Sequence, residues 1–194
     1  MRTIVCALAF ILMASCQESK KQPTFEYKFS DKEQSLQCEG QNNLLLNEAL
    51  HSFEDDIART YDPDSRRVYN AYAKFIMPGM GGRAEYARLP SDHTKKILEA
   101  LIAEKIIVKG GKHSNLNYTH PAVQCIINGI EEFGLKNTIN ALTSTNGMDP
   151  TLFDTRLRNK GRDAEKKRYM AMYIALDAYY QHLADVDFPA TATN

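Results

Sequence analysis

The stretch "YMAMYIALDAYYQHL", residues 169–183, decides the fold. Large apolar and aromatic residues recur in it in steps of four, three, four and three, a spacing that places them on one face of an α-helix. The stretch therefore predicts a long helix packed against other helices, with a buried face made of Tyr169, Tyr173, Leu176, Tyr180 and Leu183. Because Tyr179 and Tyr180 are adjacent, they point in different directions around the helix, which predicts that one of them is exposed.

Helical periodicity and capping residues predict three helices in the first half of the chain. Their limits are Asn42-Asn43 and Asp62-Pro63 for the first, Asp64 and Pro78-Gly79 for the second, and Ser91 or Asp92 and the glycine pair Gly110-Gly111 for the third. As an alternative, residues 105–118, "KIIVKGGKHSNLNY", form a small hairpin around that glycine pair.

Three shorter helices are predicted between the glycine pair and the last helix. Their limits are Pro121 and Gly129, Leu135 and Asn146-Gly147, and Asp149-Pro150 and Leu157. Together with the last helix, these segments predict an all-α protein, a single helical-bundle domain of about six or seven helices preceded by an extended tether.

The N-terminus has the layout of a secretory signal peptide, with Arg2 before a short apolar run that ends in small residues. A transmembrane helix needs about 20 apolar residues, and the run over residues 4–14 is shorter. Met13-Ala14-Ser15-Cys16 resembles the lipobox of bacterial lipoproteins, and the short basic start and Lys-, Asn- and Tyr-rich composition resemble lipoproteins of Bacteroidota. The resemblance implies cleavage before Cys16, acylation of that residue and anchoring to membrane lipid, and Gln17 implies the outer membrane. An ordinary secreted protein is the alternative.

These observations predict four regions. They are a signal peptide over residues 1–15, a lipid-anchored tether and strap over residues 16–40, a helical domain over residues 41–188 and a disordered tail over residues 189–194.

Charge and cysteine content exclude several functions. With 24 basic and 24 acidic residues the chain is neutral overall, so no global charge directs it to nucleic acid. In an exported protein, Cys38 and Cys125 predict a disulfide bond, with two separate buried thiols as the alternative. No CxxC or CxxH spacing accompanies either cysteine, and no cofactor or metal is predicted. His51, Glu54 and Asp55 lie on one helical turn, but they make only half a metal site and predict a solvated helix face.

Two polar segments are candidate ligand sites. The loop "PGMGGRAEY", residues 78–86, has three glycines in four positions beside Arg83, which could wrap an anion, although a flexible linker is the favoured interpretation. His113 and His120 flank a polar segment and could offer both rings to one ligand. A pocket that gathers Arg83, His113 and His120 would favour a small-ligand binder or hydrolase.

A basic run precedes the last helix, with seven basic and two acidic residues over residues 156–168. Such a run could face a membrane or an acidic partner. With the exposed tyrosine of the last helix, it predicts a surface that binds an envelope protein, as an accessory or inhibitor and immunity-type subunit. The candidate residues are Arg156, Arg158, Lys160, Arg162, Lys167, Arg168, Tyr179 and Tyr180. No nucleophile-and-base motif predicts an enzyme.

Overall fold

The computed structural model describes residues 26–111, 113–144, 157, 159 and 161–188. The helices are α1 (Asn43–Tyr61), α2 (Val68–Met80), α3 (Asp92–Ala103), α4 (Pro121–Asn128), α5 (Phe133–Ser144) and a 3₁₀ helix (Gly161–Lys166). The last helix consists of α6 (Arg168–Ala175), a π-helical turn (Leu176–Tyr180) and α7 (Gln181–Leu183), here together called the C-terminal helix. The predicted all-α fold is confirmed.

The C-terminal helix lies at the centre of the domain, in contact with α1, α2 and α4. Tyr173, Leu176, Tyr180 and Leu183 are fully buried, and Tyr169 packs at the edge of the same core. The predicted packing face is therefore confirmed. The expectation of an exposed tyrosine is wrong, because Tyr179 is fully buried as well. Neighbouring helices surround this helix on several sides, so both directions around it lead into the core.

Local capping explains where α1 begins and ends. The side chain of Asn42 accepts a hydrogen bond from the Leu45 amide at 3.1 Å, which satisfies one of the free donors at the helix start. At the other end, Asp62 Oδ2 accepts hydrogen bonds from the Ser65 hydroxyl at 2.5 Å and the Arg67 amide at 3.0 Å. These bonds hold residues 65–67 in a turn, which is why α2 begins at Val68 and not near residue 64.

Two other predicted limits are corrected by the structure. Pro78 does not end α2, which continues to Met80 and is capped at Gly81. The third helix ends at Ala103, well before the glycine pair, because Lys105 adopts a left-handed backbone with φ 61°. The hairpin alternative describes the following residues better, since Ile107 and Leu116 form an antiparallel bridge.

The helices α4 and α5 lie close to their predicted positions. Pro121 opens α4 after the His120 cap, and the helix ends at Asn128 with Gly129 as its C-cap. The helix α5 begins at Phe133, two residues earlier than expected. The helix predicted from Asp149-Pro150 lies outside the described residues, except that Leu157 is helical and buried. The predicted signal peptide, Cys16 and the tail over residues 189–194 also lie outside them.

An irregular strap, residues 26–38, lies across α1 and is held by side chains one helical turn apart. The Asn43 side chain bonds both the amide and the carbonyl of Cys38, at 2.7 and 3.2 Å. One turn later, Asn47 bonds both backbone groups of Leu36, each at 3.1 Å. The Glu48 carboxylate accepts from the amides of Lys28 and Phe29, at 2.6 and 3.0 Å. These contacts fix an otherwise irregular segment against the core.

Cys38 and Cys125, which are 87 positions apart in sequence, form a disulfide bond with a Cα–Cα distance of 5.8 Å. This bond confirms the predicted pairing and joins the end of the strap to α4. In the chain-entropy model, closing so long a loop contributes about 4–5 kcal/mol to stability. Within the described part of the chain, no helix is both long and apolar enough to cross a membrane.

Candidate functional site

The largest concave feature among the described cavities is an open groove of about 640 Å³. It lies between the end of α5 and an irregular segment comprising residues 106–111 and 113–119, here called the groove segment. We call the cavity the hairpin groove. Its lining residues are Val108, Gly111, His113, Ser114, Asn115, Leu116, Asn117, Tyr118, Thr119 and Thr143.

Backbone bonds give the groove segment its hairpin-like shape. The amides of Ile106 and Ile107 donate to the Leu101 carbonyl at the end of α3, which turns the chain away from the helix axis. Val108 then donates to the Asn115 carbonyl at 2.7 Å. Gly111 is required at the tip, because a Cβ there would lie 1.9 Å from the Ser114 carbonyl oxygen.

A row of polar side chains on the C-terminal helix holds the groove segment in place. The row consists of Asp177, Gln181 and Asp185, which are spaced by four residues and therefore share one face of the helix. Asn115 donates to the Gln181 carbonyl at 3.0 Å and to Asp185 Oδ1 at 2.8 Å. The Ser114 hydroxyl donates to Gln181 Oε1.

Tyr118 connects the groove to the first member of this row. The residue lines the groove, and its hydroxyl donates to Asp177 Oδ1. The side-chain amide of Gln181, through Nε2, donates to the same oxygen at 3.1 Å. Within the described part of the chain, the other carboxyl oxygen, Oδ2, has no hydrogen-bond partner. The side chain is therefore a buried carboxyl group that is only half satisfied.

The electrostatics of Asp177 follow from this burial. Asp177 is 1% exposed, and burial raises the pKa of its carboxyl to about 6, although the bonds from Tyr118 and Gln181 act in the opposite direction. Burial in a medium of low dielectric disfavours the charged form of a carboxyl group. Asp177 thus changes charge in the mildly acidic range, directly behind the groove.

The π-helical turn also contacts a second tyrosine, Tyr86, through Ala178, the residue next to Asp177 in sequence. The hydroxyl of Tyr86, after α2, lies 2.9 Å from the carbonyl oxygens of both Gly79 and Ala178 and shares its one hydrogen between them. Its ring stacks on His182 with a centroid distance of 4.9 Å, and burial lowers the pKa of that histidine. Wide turns of this kind leave backbone carbonyls for other partners and are frequent at functional sites.

A smaller cleft of about 330 Å³ lies between the strap and the C-terminal helix. Arg168 bonds both oxygens of Glu54, at 2.6 and 3.1 Å, and His51 Nδ1 lies 3.6 Å from Glu54 Oε2. Burial alone would raise the pKa of the Glu54 carboxyl, but the side chains of His51 and Arg168 outweigh it and hold that pKa below its usual value. We call this cavity the strap cleft. The expectation of a solvated helix face here is wrong for His51 and Glu54, which are buried, whereas the Asp55 side chain is 45% exposed and pairs with Arg66.

Arg83, His113 and His120, which would form a ligand pocket if they came together, do not lie together in any described cavity. His113 is exposed and lines the hairpin groove, whereas His120 caps α4, where its Nδ1 accepts from the Ala122 amide at 3.1 Å. Arg83 lies at the end of α2, where its amide donates to the Pro78 carbonyl at 2.8 Å. The glycine loop packs against the C-terminal helix, with Gly82 beside His182.

The predicted basic surface is only partly described. Arg156, Arg158, Lys160 and the side chain of Arg162 lie outside the described residues. Lys167 is half-buried, and Arg168 is bound to Glu54. Tyr179 and Tyr180 are both buried, with their hydroxyl groups on Asp56 Oδ2 and the Ala49 carbonyl. In this arrangement, Arg168 and the two tyrosines support the core and do not form an exposed binding surface.

Sequence reasoning missed Tyr118, Asp177 and Gln181. One signal was available, because Asp177 and Gln181 lie four residues apart inside an otherwise apolar helix. A charged residue in such a helix is expected to have a buried partner. Tyr118 could not be assigned to it, since the two residues are 59 positions apart.

The polar side chains of the hairpin groove are largely engaged within the protein. Asn117 donates to the Lys105 carbonyl at 3.0 Å, and the Thr119 and Thr143 hydroxyls donate to Asn117 Oδ1 and the Ile139 carbonyl. Among the described residues, no three His, Cys, Asp or Glu side chains are grouped to hold a metal ion. The groove therefore offers a shaped surface with Val108 and His113 exposed, and few free hydrogen-bonding groups.

No family model, no curated protein and no solved structure matches this chain.

Proposed function

We propose that this chain is a lipid-anchored cell-envelope protein that acts by binding another macromolecule in the hairpin groove. The partner would be an envelope protein, for which this chain is an accessory or inhibitor and immunity-type subunit. The proposed anchor is the acylated Cys16, and the proposed location is the outer membrane, on its periplasmic or exterior face. Support for the anchor comes from the lipobox-like residues Met13-Ala14-Ser15-Cys16.

The observation that carries the binding proposal is the state of the groove's polar groups. Ser114, Asn115 and Asn117 are already bonded inside the protein, so a small polar ligand would find few free donors or acceptors. A protein segment depends more on shape and apolar contact, and Val108 is 46% exposed at this site. The groove is therefore better suited to a segment of a macromolecule than to a small polar substrate.

The second candidate function is a small-ligand binder or hydrolase acting on envelope or imported material. It is favoured by the strap cleft, where an imidazole, a carboxylate and a guanidinium lie within one cavity. The bidentate pairing of Arg168 with Glu54 argues for a structural role, because both groups already satisfy each other. We therefore rank this function second.

The test is site-specific photo-crosslinking in the native envelope. A photoreactive phenylalanine replaces Val108 in one variant and Met77 in a matched control, since both are exposed apolar side chains. We expect a dominant protein adduct from position 108, its loss when Thr119→Arg fills the groove, and no adduct from position 77. Adducts from both positions or from neither would overturn the groove as the binding site. Labelling with an alkyne fatty acid, with Cys16→Ser as control, tests the anchor separately.

A further inference from the structure

The carboxyl group of Asp177 is unusual for a purely structural residue. It is 1% exposed, yet only one of its oxygens has a described hydrogen-bond partner. An asparagine could accept the same bonds from Tyr118 and Gln181 through its carbonyl oxygen without placing a charge in the core. The hydrogen bonds of Asp177 therefore do not explain why the protein bears the free-energy cost of burying a carboxyl group here.

Two chains of hydrogen bonds lead from this carboxyl to the hairpin groove. The first is direct, because the Tyr118 hydroxyl donates to Asp177 Oδ1 and Tyr118 is one of the residues that line the groove. The second runs from Asp177 to the Gln181 amide and from Gln181 Oε1 to the Ser114 hydroxyl. Ser114 Oγ in turn accepts from the Leu116 amide at 3.0 Å. Both chains end in residues that line the groove.

We propose that protonation of Asp177 sets how firmly the groove segment is held, so that the hairpin groove is a pH-dependent binding surface. This inference rests on the proposed function of the groove. When Asp177 is ionised, Tyr118 and Gln181 donate to a carboxylate, and such charge-assisted bonds are about twice as strong as neutral ones. When it is protonated, both bonds weaken, and Oδ2 carries a hydrogen that requires a new acceptor.

The other titratable groups around Asp177 leave its charge uncompensated. Those that face it are phenols, namely Tyr118 before α4, Tyr86 after α2 and Tyr173 on its own helix. From α2, Tyr72 is bonded to Glu54, and Lys74 is bonded to the Tyr61 carbonyl. From α4, His120 caps the helix and Cys125 is in the disulfide. Burial accordingly raises the pKa of Asp177 to about 6, which places its protonation in an accessible range.

The experiment follows backbone amide chemical shifts of the full domain by NMR from pH 4.5 to pH 7.5. We expect the amides of Val108, Leu116 and Thr119 to titrate with one shared midpoint, and this midpoint to equal that of the Asp177 carboxyl carbon. In Asp177→Asn these shifts should be lost. The matched control, Asp163→Asn, removes an exposed carboxyl and should leave them unchanged.

A second variant distinguishes two causes of the amide shifts. One is a change in the hydrogen bonds that hold the groove segment, and the other is the electric field of the Asp177 charge acting through space. Tyr118→Phe with Ser114→Ala removes both bonds on the groove side and leaves Asp177 able to titrate. The backbone amide shifts of the groove segment should then no longer change with pH, while the backbone amide shift of Gln181 should still do so. Groove amides that still titrate in this variant, or that never titrate in the wild type, would overturn the proposal. Since no partner is needed, failure of this test is distinct from failure of the crosslinking test.

Discussion

The hydroxyl of Tyr179 donates a hydrogen bond of 2.8 Å to Asp56 Oδ2, across 123 residues of sequence, in the centre of the domain. Asp56 is fully buried, and its other oxygen accepts from Arg59 at 2.6 Å and from the Ser91 amide at 3.1 Å. Burial raises the pKa of Asp56 although these donors favour its charged form. The carboxylate thus ties together α1, the start of α3 and the C-terminal helix.

Replacing Tyr179 with phenylalanine tests this connection. Tyr179→Phe removes a donor to a buried carboxyl, so we expect the free energy of unfolding to fall by about 1.5–3 kcal/mol. Urea unfolding followed by circular dichroism measures it. The matched control is Tyr69→Phe, because Tyr69 is 46% exposed and should change stability little. Equal effects of the two substitutions would contradict the role given to the Tyr179 hydroxyl.

Asp177 predicts a pH dependence opposite to that of a salt-bridged carboxylate. Burial raises its pKa from 3.8 to about 6, so the folded protein holds this proton more tightly than the unfolded chain. The resulting stabilisation is fully present below about pH 4 and is lost as pH rises through about pH 6. A shift of this size corresponds to about 3 kcal/mol as an upper limit.

Asp177→Asn should therefore stabilise the protein more at pH 7.5 than at pH 4.5, relative to the wild type. Urea unfolding at the two pH values measures the difference, and Asp163→Asn is the surface control. A variant that loses the same stability at both values would show that the side chain acts only through packing and hydrogen bonding.

The ion pair between Arg168 and Glu54 should make the two residues strongly coupled in their effects on the free energy of unfolding. Arg168→Ala leaves the buried Glu54 carboxylate without its guanidinium partner, and removing one member of a buried pair costs about 3–5 kcal/mol. We expect Glu54→Gln to recover part of this loss in the double variant, because the uncompensated charge is then removed. A double-mutant cycle by urea unfolding measures the coupling, and strictly additive effects would contradict the pairing.

Gly111 and its neighbour Gly110 form a matched pair at the tip of the groove segment. A Cβ at position 111 would lie 1.9 Å from the Ser114 carbonyl oxygen, whereas one at position 110 meets nothing within 4 Å. Gly110 does have a positive φ of 76°, so Gly110→Ala should cost about 1–2 kcal/mol through backbone strain alone.

Gly111→Ala should instead displace Ser114 and disturb its bond to Gln181. Amide spectra should then show shifts at residues 114–118 and Gln181 for Gly111→Ala, and only local shifts for Gly110→Ala. The same shift pattern in both variants would contradict the close approach at Gly111.

Much of the fold could be predicted because its determinants are local. Asn42, Ser91 and Pro121 mark helix starts through their own chemistry, and the spacing of apolar residues marks the buried faces. The end of α3 was missed because nothing in a lysine signals the left-handed backbone of Lys105, which depends on the Leu101 carbonyl accepting the following amides.

The candidate site could not be predicted for a different reason. The groove segment is held by side chains 59 to 70 positions away, at Asp177, Gln181 and Asp185. Such contacts exist only after the helices have packed. The burial of Tyr179 has the same origin, since several helices surround the C-terminal helix.

The disulfide at the end of the strap has a mechanical consequence. Under the proposed lipid anchoring, a pull on the tether is transmitted to the strap, whose described contacts include the bonds from Lys28 and Phe29 to Glu48. Those non-covalent bonds can yield one after another along the strap. The pull then meets a covalent stop at Cys38, where tension passes to α4 through Cys125. The disulfide therefore limits how far a pull can detach the strap before the load reaches the helical domain itself.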